Sequence, residues 1–176
     1  MQHQELEKAC QFRTARLNVK GFAIASCKKQ RRAFGNRLLP LLAPEVSLYL
    51  PPNWQGIEDI ESALGWFDKI SSEATLRGIW HHDRLIGLLV LASEPASHTL
   101  HIGYCFAKDY WGLGFAFELL SALQHWCHRQ PDSLTLLAGV DKRNIASVRV
   151  LEKAGFIALG SAPFQASLYQ WQPPLH

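Results

Sequence analysis

Between residues 99 and 127 the hydropathy period of this chain changes from two to 3.6 across a loop that holds two glycines. In Thr99–Phe106 the residues Leu100, Ile102, Tyr104 and Phe106 alternate with Thr99, His101, Gly103 and Cys105, which predicts a strand with two distinct faces. From Ala116 onward Leu119, Leu120, Leu123 and Cys127 recur at helical spacing, and Pro131 marks where that helix must have ended. The intervening segment, Tyr110-Trp111-Gly112-Leu113-Gly114-Phe115-Ala116, is therefore a strand-to-helix turn. Two roles fit it. Closely spaced glycines let backbone approach a ligand, and a helix start offers unpaired N–H groups to a phosphate. Alternatively, the turn only packs the helix onto the strand. A P-loop is excluded, because Gly114 is followed by Phe115 and Ala116 rather than Lys and a hydroxyl residue. A dinucleotide fingerprint is disfavoured by Phe117 where a third small residue belongs.

The rest of the chain supplies partners for this unit. Phe12–Lys20 alternates Ala15, Leu17 and Val19 with Arg16, Asn18 and Lys20, as a half-buried strand does. The basic run Lys28–Arg32 leads into Phe34, Leu38, Leu39, Leu41 and Leu42, an amphipathic helix with Pro40 near its end. Ile57, Ile60, Leu64, Phe67 and Ile70 predict a second helix. Thr75–His82 and Leu85–Ala92 are strand-like, joined by a tight turn at His82-Asp83-Arg84. Leu134–Val140 reads as a strand, Asn144–Ala154 as a helix capped by Gly155, and Phe156–Gly160 with Ala166–Trp171 as a closing pair. The order is strand, two helices, three strands, helix, strand, helix, two strands. It predicts an α/β protein with a mixed sheet flanked by helices. Residues 1–11 read as a tail or short helix, and 12–176 as a single domain.

Composition narrows the function. With 48% hydrophobic and 19% charged residues the chain is an ordinary globular one, not a disordered one. A formal charge of +3, from 18 basic and 15 acidic residues, is too small to imply nucleic acid or an anionic membrane as partner. No apolar run approaches the roughly 20 residues of a membrane span, and the polar start lacks a signal-like stretch. A cytoplasmic protein is expected. Cys10, Cys27, Cys105 and Cys127 show no metal-ligand spacing, so reduced thiols and no metal are expected. His125 and His128 alone do not make a metal site.

A second motif lies some thirty residues after the glycine loop: Asn144-Ile-Ala-Ser147-Val-Arg-Val-Leu151-Glu-Lys-Ala-Gly155-Phe156. Asn144 is a good helix N-cap and Gly155 a good stop, so each residue has a structural explanation of its own. Together, the two motifs resemble the GNAT acetyltransferases, and within them the branch that acetylates the N-terminal amines of ribosomal proteins. The resemblance covers residues 99–157 specifically, and Thr14–Val19 and Thr75–Ala92 more loosely. It implies the acyl-CoA N-acyltransferase fold, with a central, mostly antiparallel sheet, and acetyl-CoA as cosubstrate. By that resemblance the amides of Trp111, Gly112, Leu113, Gly114, Phe115 and Ala116 would cradle the pyrophosphate. Asn144 and Ser147 would contact the pantetheine arm. The donor would wedge between splayed strands at 99–106 and 134–140, where an N–H at Tyr104, Cys105 or Phe106 polarises the thioester carbonyl.

The chemistry requires a neutral amine held against a thioester, a fixed oxyanion donor, a proton acceptor and an acid for the thiolate. Many family members carry the acid as a tyrosine seven residues after the helix-initiating Asn; here that position is Leu151. Ser147 matches the serine proposed for this task in the ribosomal-protein branch. His101 and Glu118 are candidate bases, Glu118 also reading as a packing carboxylate, and a water chain is the third option. The implied acceptor is a protein N-terminal α-amine. A small-molecule amine is the alternative, since Glu58, Asp59, Glu61, Asp68 and Glu73 offer carboxylates to a polyamine. A non-catalytic acyl-CoA sensor, favoured by Leu151, is a third reading. Trp54 and Trp66 are candidates for lining an acceptor cleft, and the chain is expected to be a monomer or homodimer.

Overall fold

The computed structural model describes Glu5 and residues 9–23, 27–93, 97–130, 134–161 and 166–174. The expected tail or helix over residues 1–11 therefore lies mostly outside the described residues. The described elements are β1 (Phe12–Arg13), β2 (Asn18–Lys20), α1 (Lys28–Leu38), a 3-10 turn at Leu39–Leu41, and the short α2 (Pro44–Ser47). There follow α3 (Ile60–Glu73), β3 (Thr75–His81), β4 (Arg84–Ser93), β5 (Thr99–Phe106), α4 (Phe115–His128), β6 (Thr135–Asp141), α5 (Ile145–Lys153), β7 (Ile157–Ser161) and β8 (Ala166–Trp171).

One eight-stranded sheet joins all the strands in the order β1-β2-β3-β4-β5-β6-β8-β7. Every neighbouring pair is antiparallel except β5–β6, which is parallel. That exception follows from connectivity: α4 carries the chain back along the sheet, and a helical crossover sets its flanking strands in the same direction.

The alternation along β5 sorts its side chains onto two cores. Leu100, Ile102 and Phe106 join Leu119, Leu120 and Leu123 of α4 and Leu151 of α5 on one face. On the other face Cys105 joins Leu38, Phe67 and Ile70, below α1 and α3. Each fully buried leucine here contributes roughly 1.5–3 kcal/mol of transfer free energy. Helices α1 and α3 approach closely because Gly35 has no side chain; a Cβ there would meet Ile60 Cγ2 at 2.5 Å. Asp59 and Ser62 close a capping box at the start of α3, with Ser62 N–H donating to Asp59 Oδ1 at 2.8 Å.

Two expectations need correction. The strand expected over 12–20 is broken into β1 and β2, which pair with each other antiparallel. Thr14 causes the break: its Oγ1 accepts from Leu17 N–H at 2.8 Å and from Arg16 N–H at 3.3 Å, folding the backbone into a side-chain-stabilised turn. Ala15 consequently faces solvent while Leu17 and Val19 stay buried. Trp54 and Trp66 do not line a cleft. Both are about 6% exposed and meet edge to face at 4.7 Å within the second core.

Candidate active site

Strands β5 and β6 pair only at Thr99↔Thr135, Leu100↔Leu136, His101↔Leu137 and Ile102↔Ala138. Beyond Ile102 they part. Strand β5 continues to Phe106 against β4, while β6 continues to Asp141 against β8. The result is a wedge-shaped notch in the middle of the sheet. A Cβ added to Gly103 or Gly139, one on each wall, would meet nothing within 4 Å. Ala107 N–H donates to the Ile86 carbonyl of β4 at 2.9 Å. By strand alternation the amides of Gly103 and Cys105 also turn toward β4, and those of Tyr104 and Phe106 toward the notch. Of the three β5 candidates, Tyr104 and Phe106 therefore present backbone donors to the notch. The Cys105 side chain sits in the opposite core, its Sγ 3.5 Å from the Leu41 carbonyl, and burial pushes its thiol up to about 12. It is an inert packing group.

At the end of β5 the chain makes a 3-10 turn at Lys108–Tyr110 and enters the glycine loop. Gly112 (φ 70°) and Gly114 (φ 81°) adopt left-handed conformations; a Cβ on Gly112 would meet nothing within 4 Å, and one on Gly114 would meet only Arg16 Nη2, at 3.5 Å. Gly114 caps α4 without any side-chain acceptor. The amides of Gly112 through Phe117 donate to no described residue, so they remain available to an anion at the start of a 14-residue helix. Trp111 and Leu113 are about half exposed beside them, and the Trp111 indole N–H anchors the loop on the Phe106 carbonyl at 2.7 Å. Phe115 is buried in the first core.

The loop is braced by residues from far earlier in the chain. Arg16 Nε donates to Glu118 Oε2 at 2.7 Å, and Arg16 Nη1 donates to the Leu113 carbonyl at 2.9 Å. The guanidinium lies 4.3 Å from the centre of the Phe115 ring. Thr14 Oγ1 donates to Glu118 Oε1, which also accepts from Arg16 N–H at 3.0 Å. Burial by itself raises the Glu118 pKa, but the bonds from Thr14 and Arg16 outweigh it and hold the carboxyl below its ordinary value. A carboxylate so engaged is a latch, and its depressed pKa makes it a poor proton acceptor. The packing role is thus favoured over the expectation of Glu118 as base. Hydropathy patterning missed Arg16; the only signal in the sequence was the loose family resemblance over Thr14–Val19.

On the other flank of the notch Asn144 caps α5, its Oδ1 accepting from Ser147 N–H at 3.1 Å. Ser147 Oγ lies 3.3 Å from the Tyr104 hydroxyl. Burial raises the Tyr104 pKa and the Ser147 bond lowers it, the net being a phenol held above its ordinary value. Leu151 is 1% exposed within the first core. The structure therefore brings Asn144, Ser147 and Tyr104 together. It does not bring His101 to them: His101 lies in the closed part of the β5–β6 pair, on the face of Cys105.

Other candidates resolve into structural roles. Arg31 of the basic run pairs with Asp68, and Asp59 is the α3 cap, so two of the five carboxylates on that stretch are engaged. Glu58, Glu61 and Glu73 are exposed, as a solvated face would be. Among the described residues no group of His, Cys, Asp or Glu is placed to hold a metal, and no helix is long and apolar enough to cross a membrane.

Comparison with known proteins adds a consistent picture. The model of the acetyltransferase (GNAT) domain family matches residues 36–157. YjcK, a probable N-acetyltransferase of Bacillus subtilis, is 38% identical over 82 residues, covering 46% of this chain and 45% of that protein. The match spans under half the length of the curated relatives. A GNAT-family acetyltransferase from Bacillus anthracis has a TM-score of 0.74 at 19% identity, over 93% of this chain and 98% of the other. RimL, a ribosomal L7/L12 alpha-N-protein acetyltransferase solved with coenzyme A, has a TM-score of 0.70 at 18% identity, over 90% and 95%. At such identities the likeness to solved structures is one of fold.

Proposed function

The chain belongs to the GNAT acetyltransferase family, and from that premise we propose that it transfers the acetyl group of acetyl-CoA to a primary amine, the N-terminal α-amine of a protein, by direct attack in a ternary complex. The observation that carries this reading is the notch between β5 and β6, flanked by the glycine loop on one side and by Ser147 on the other. The loop amides at the start of α4 would hold the phosphates of an acyl-CoA lying in the notch, and Ser147 at the start of α5 would meet its sulfur. The kinship in fold to RimL supports the choice of a protein N-terminus as acceptor. With Asp68 paired to Arg31, Asp59 engaged as the α3 cap and Glu58, Glu61 and Glu73 exposed, the carboxylates of that stretch argue against a polyamine.

In this mechanism the amine lone pair attacks the thioester carbon, and the carbonyl π pair moves onto oxygen. The outward amides of Tyr104 and Phe106 are the donors for that oxyanion. Collapse re-forms the carbonyl and breaks the C–S bond, whose electron pair leaves on sulfur. Ser147 Oγ–H protonates the thiolate, and the proton released by nitrogen passes to water, with Glu118 held in its latch and His101 on the far face. A cytoplasmic setting accords with this reading and with the four free thiols among the described residues.

The test is acetyl-CoA binding by calorimetry together with thiol release against a panel of amines and N-terminal peptides. Turnover on peptides bearing a free α-amine, with kcat reduced about 10–100-fold in Ser147→Ala, supports the proposal. Turnover only on small amines replaces the acceptor. Binding without turnover on any amine points instead to a sensor, and absence of binding refutes the donor.

A further inference from the structure

We propose that Tyr104 is a positioning residue for Ser147, its phenol supplying from strand β5 the hydroxyl that Leu151 cannot supply from α5. This inference rests on the acetyltransferase reading above. Leu151 is sealed in the core beneath α5 and has no proton to give. Tyr104 is the second residue beyond the last β5–β6 pair, so it is the first on its face of the strand to stand at the open part of the notch. Its ring packs against the core under α4 and α5, and its hydroxyl stops 3.3 Å from Ser147 Oγ.

The consequence follows from counting donors. Ser147 sits in the first turn of α5, its amide tied to Asn144 Oδ1, so its Cα is fixed while its hydroxyl is free to rotate. A serine hydroxyl has one proton and two lone pairs. When the Tyr104 O–H donates into one lone pair of Ser147 Oγ, the Ser147 proton cannot point back at Tyr104 and is left for another acceptor in the notch. In the ternary complex that acceptor is the departing sulfur. Burial keeps the phenol protonated, so it remains a donor across the working range of pH. As the C–S bond breaks, its electron pair goes to sulfur and the Ser147 proton follows. The Tyr104 proton shifts to Ser147 Oγ, and the phenolate regains a proton, through water, from the nitrogen that has just formed the amide. The sum is one amine and one thioester converted to one amide and one thiol.

Tyr104→Phe, Ser147→Ala and the double variant, made in the full chain, test this with an acceptor from the panel above. For Tyr104→Phe we expect kcat to fall about 10–50-fold, with acetyl-CoA affinity and KM within about twofold of wild type. The double variant should fall no more than about twofold below Ser147→Ala, because both changes remove the same proton path. A 3-fluorotyrosine at position 104, with a more acidic phenol, should move the alkaline limb of kcat to lower pH, which a merely structural hydroxyl would not do. Unchanged kcat in Tyr104→Phe, additive losses in the double variant or an unmoved alkaline limb would each overturn the inference while leaving the enzyme reading intact. A wild type that releases no thiol with any amine overturns both.

Discussion

Replacing Arg16 with Met keeps the length of the side chain and removes its charge and its fork of donors, which isolates the latch from simple loss of packing. Three contacts disappear: the ion pair to Glu118 at 2.7 Å, the bond to the Leu113 carbonyl at 2.9 Å, and the guanidinium stack on Phe115 at 4.3 Å. The Arg16 side chain is 41% exposed, so the ion pair contributes about 0.2–1 kcal/mol. The carbonyl bond contributes about 0.5–1 kcal/mol, and the stack, offset in part by the methionine that replaces it, adds a few tenths. The expected loss is about 1–2 kcal/mol, or a Tm lower by about 2–8 °C for a chain of this size. Function should suffer selectively. With the Leu113 carbonyl released, the Gly112–Ala116 amides lose their fixed orientation, and KM for acetyl-CoA should rise about 5–10-fold while kcat stays within about twofold. Thermal denaturation and steady-state kinetics with varied acetyl-CoA measure the two effects. If Tm falls by the expected amount and KM for acetyl-CoA does not move, the latch holds β1 to α4 without shaping the loop, and the reasoning fails.

The same latch sets a pH dependence. Because the Glu118 carboxyl is held below its ordinary value of about 4.5, its contribution is fully present above that value and is lost as pH falls through the folded-state pKa; Glu118→Gln should therefore flatten the acid side of a plot of Tm against pH. An unchanged acid limb in that variant would remove the carboxylate from the account. Gly114→Ala tests the loop backbone: at φ 81° a Cβ costs about 1–2 kcal/mol, although its nearest neighbour, Arg16 Nη2 at 3.5 Å, leaves it room. A lower Tm, read by calorimetry with and without acetyl-CoA, is expected together with weaker donor binding; unaltered donor affinity would mean that the loop amides do not face the ligand.

Much of this arrangement was legible in local pattern, and what was missed shares a physical cause. Strand β5 and helix α4 could be read because burial on one face imposes periods of two and 3.6 residues, and Gly112 and Gly114 because left-handed backbone selects glycine. Asn144 was readable as a cap from its place before an apolar helical repeat. The break at Thr14 escaped because hydropathy registers Thr14 as a neutral strand residue, while its hydroxyl acts as a turn acceptor. Contacts across large sequence separations carry no periodic signal: Arg16 meets Glu118 102 residues away, and Tyr104 meets Ser147 43 residues away. The tryptophans at 54 and 66 were placed by residue type alone, which does not distinguish a cleft wall from a core.

The open notch has a bearing on where the chain can be shortened. Strand β6 leaves β5 after Ala138, but on its other edge it stays paired with β8 from Leu136↔Trp171 to Asp141↔Ala166. A chain without residues 166–171 has every residue of the glycine loop and of the Asn144 helix, but lacks the strand with which Gly139, Val140 and Asp141 pair. A chain cut before Ala166 is therefore expected to lack an ordered far wall, which hydrogen exchange at the Gly139, Val140 and Asp141 amides would read.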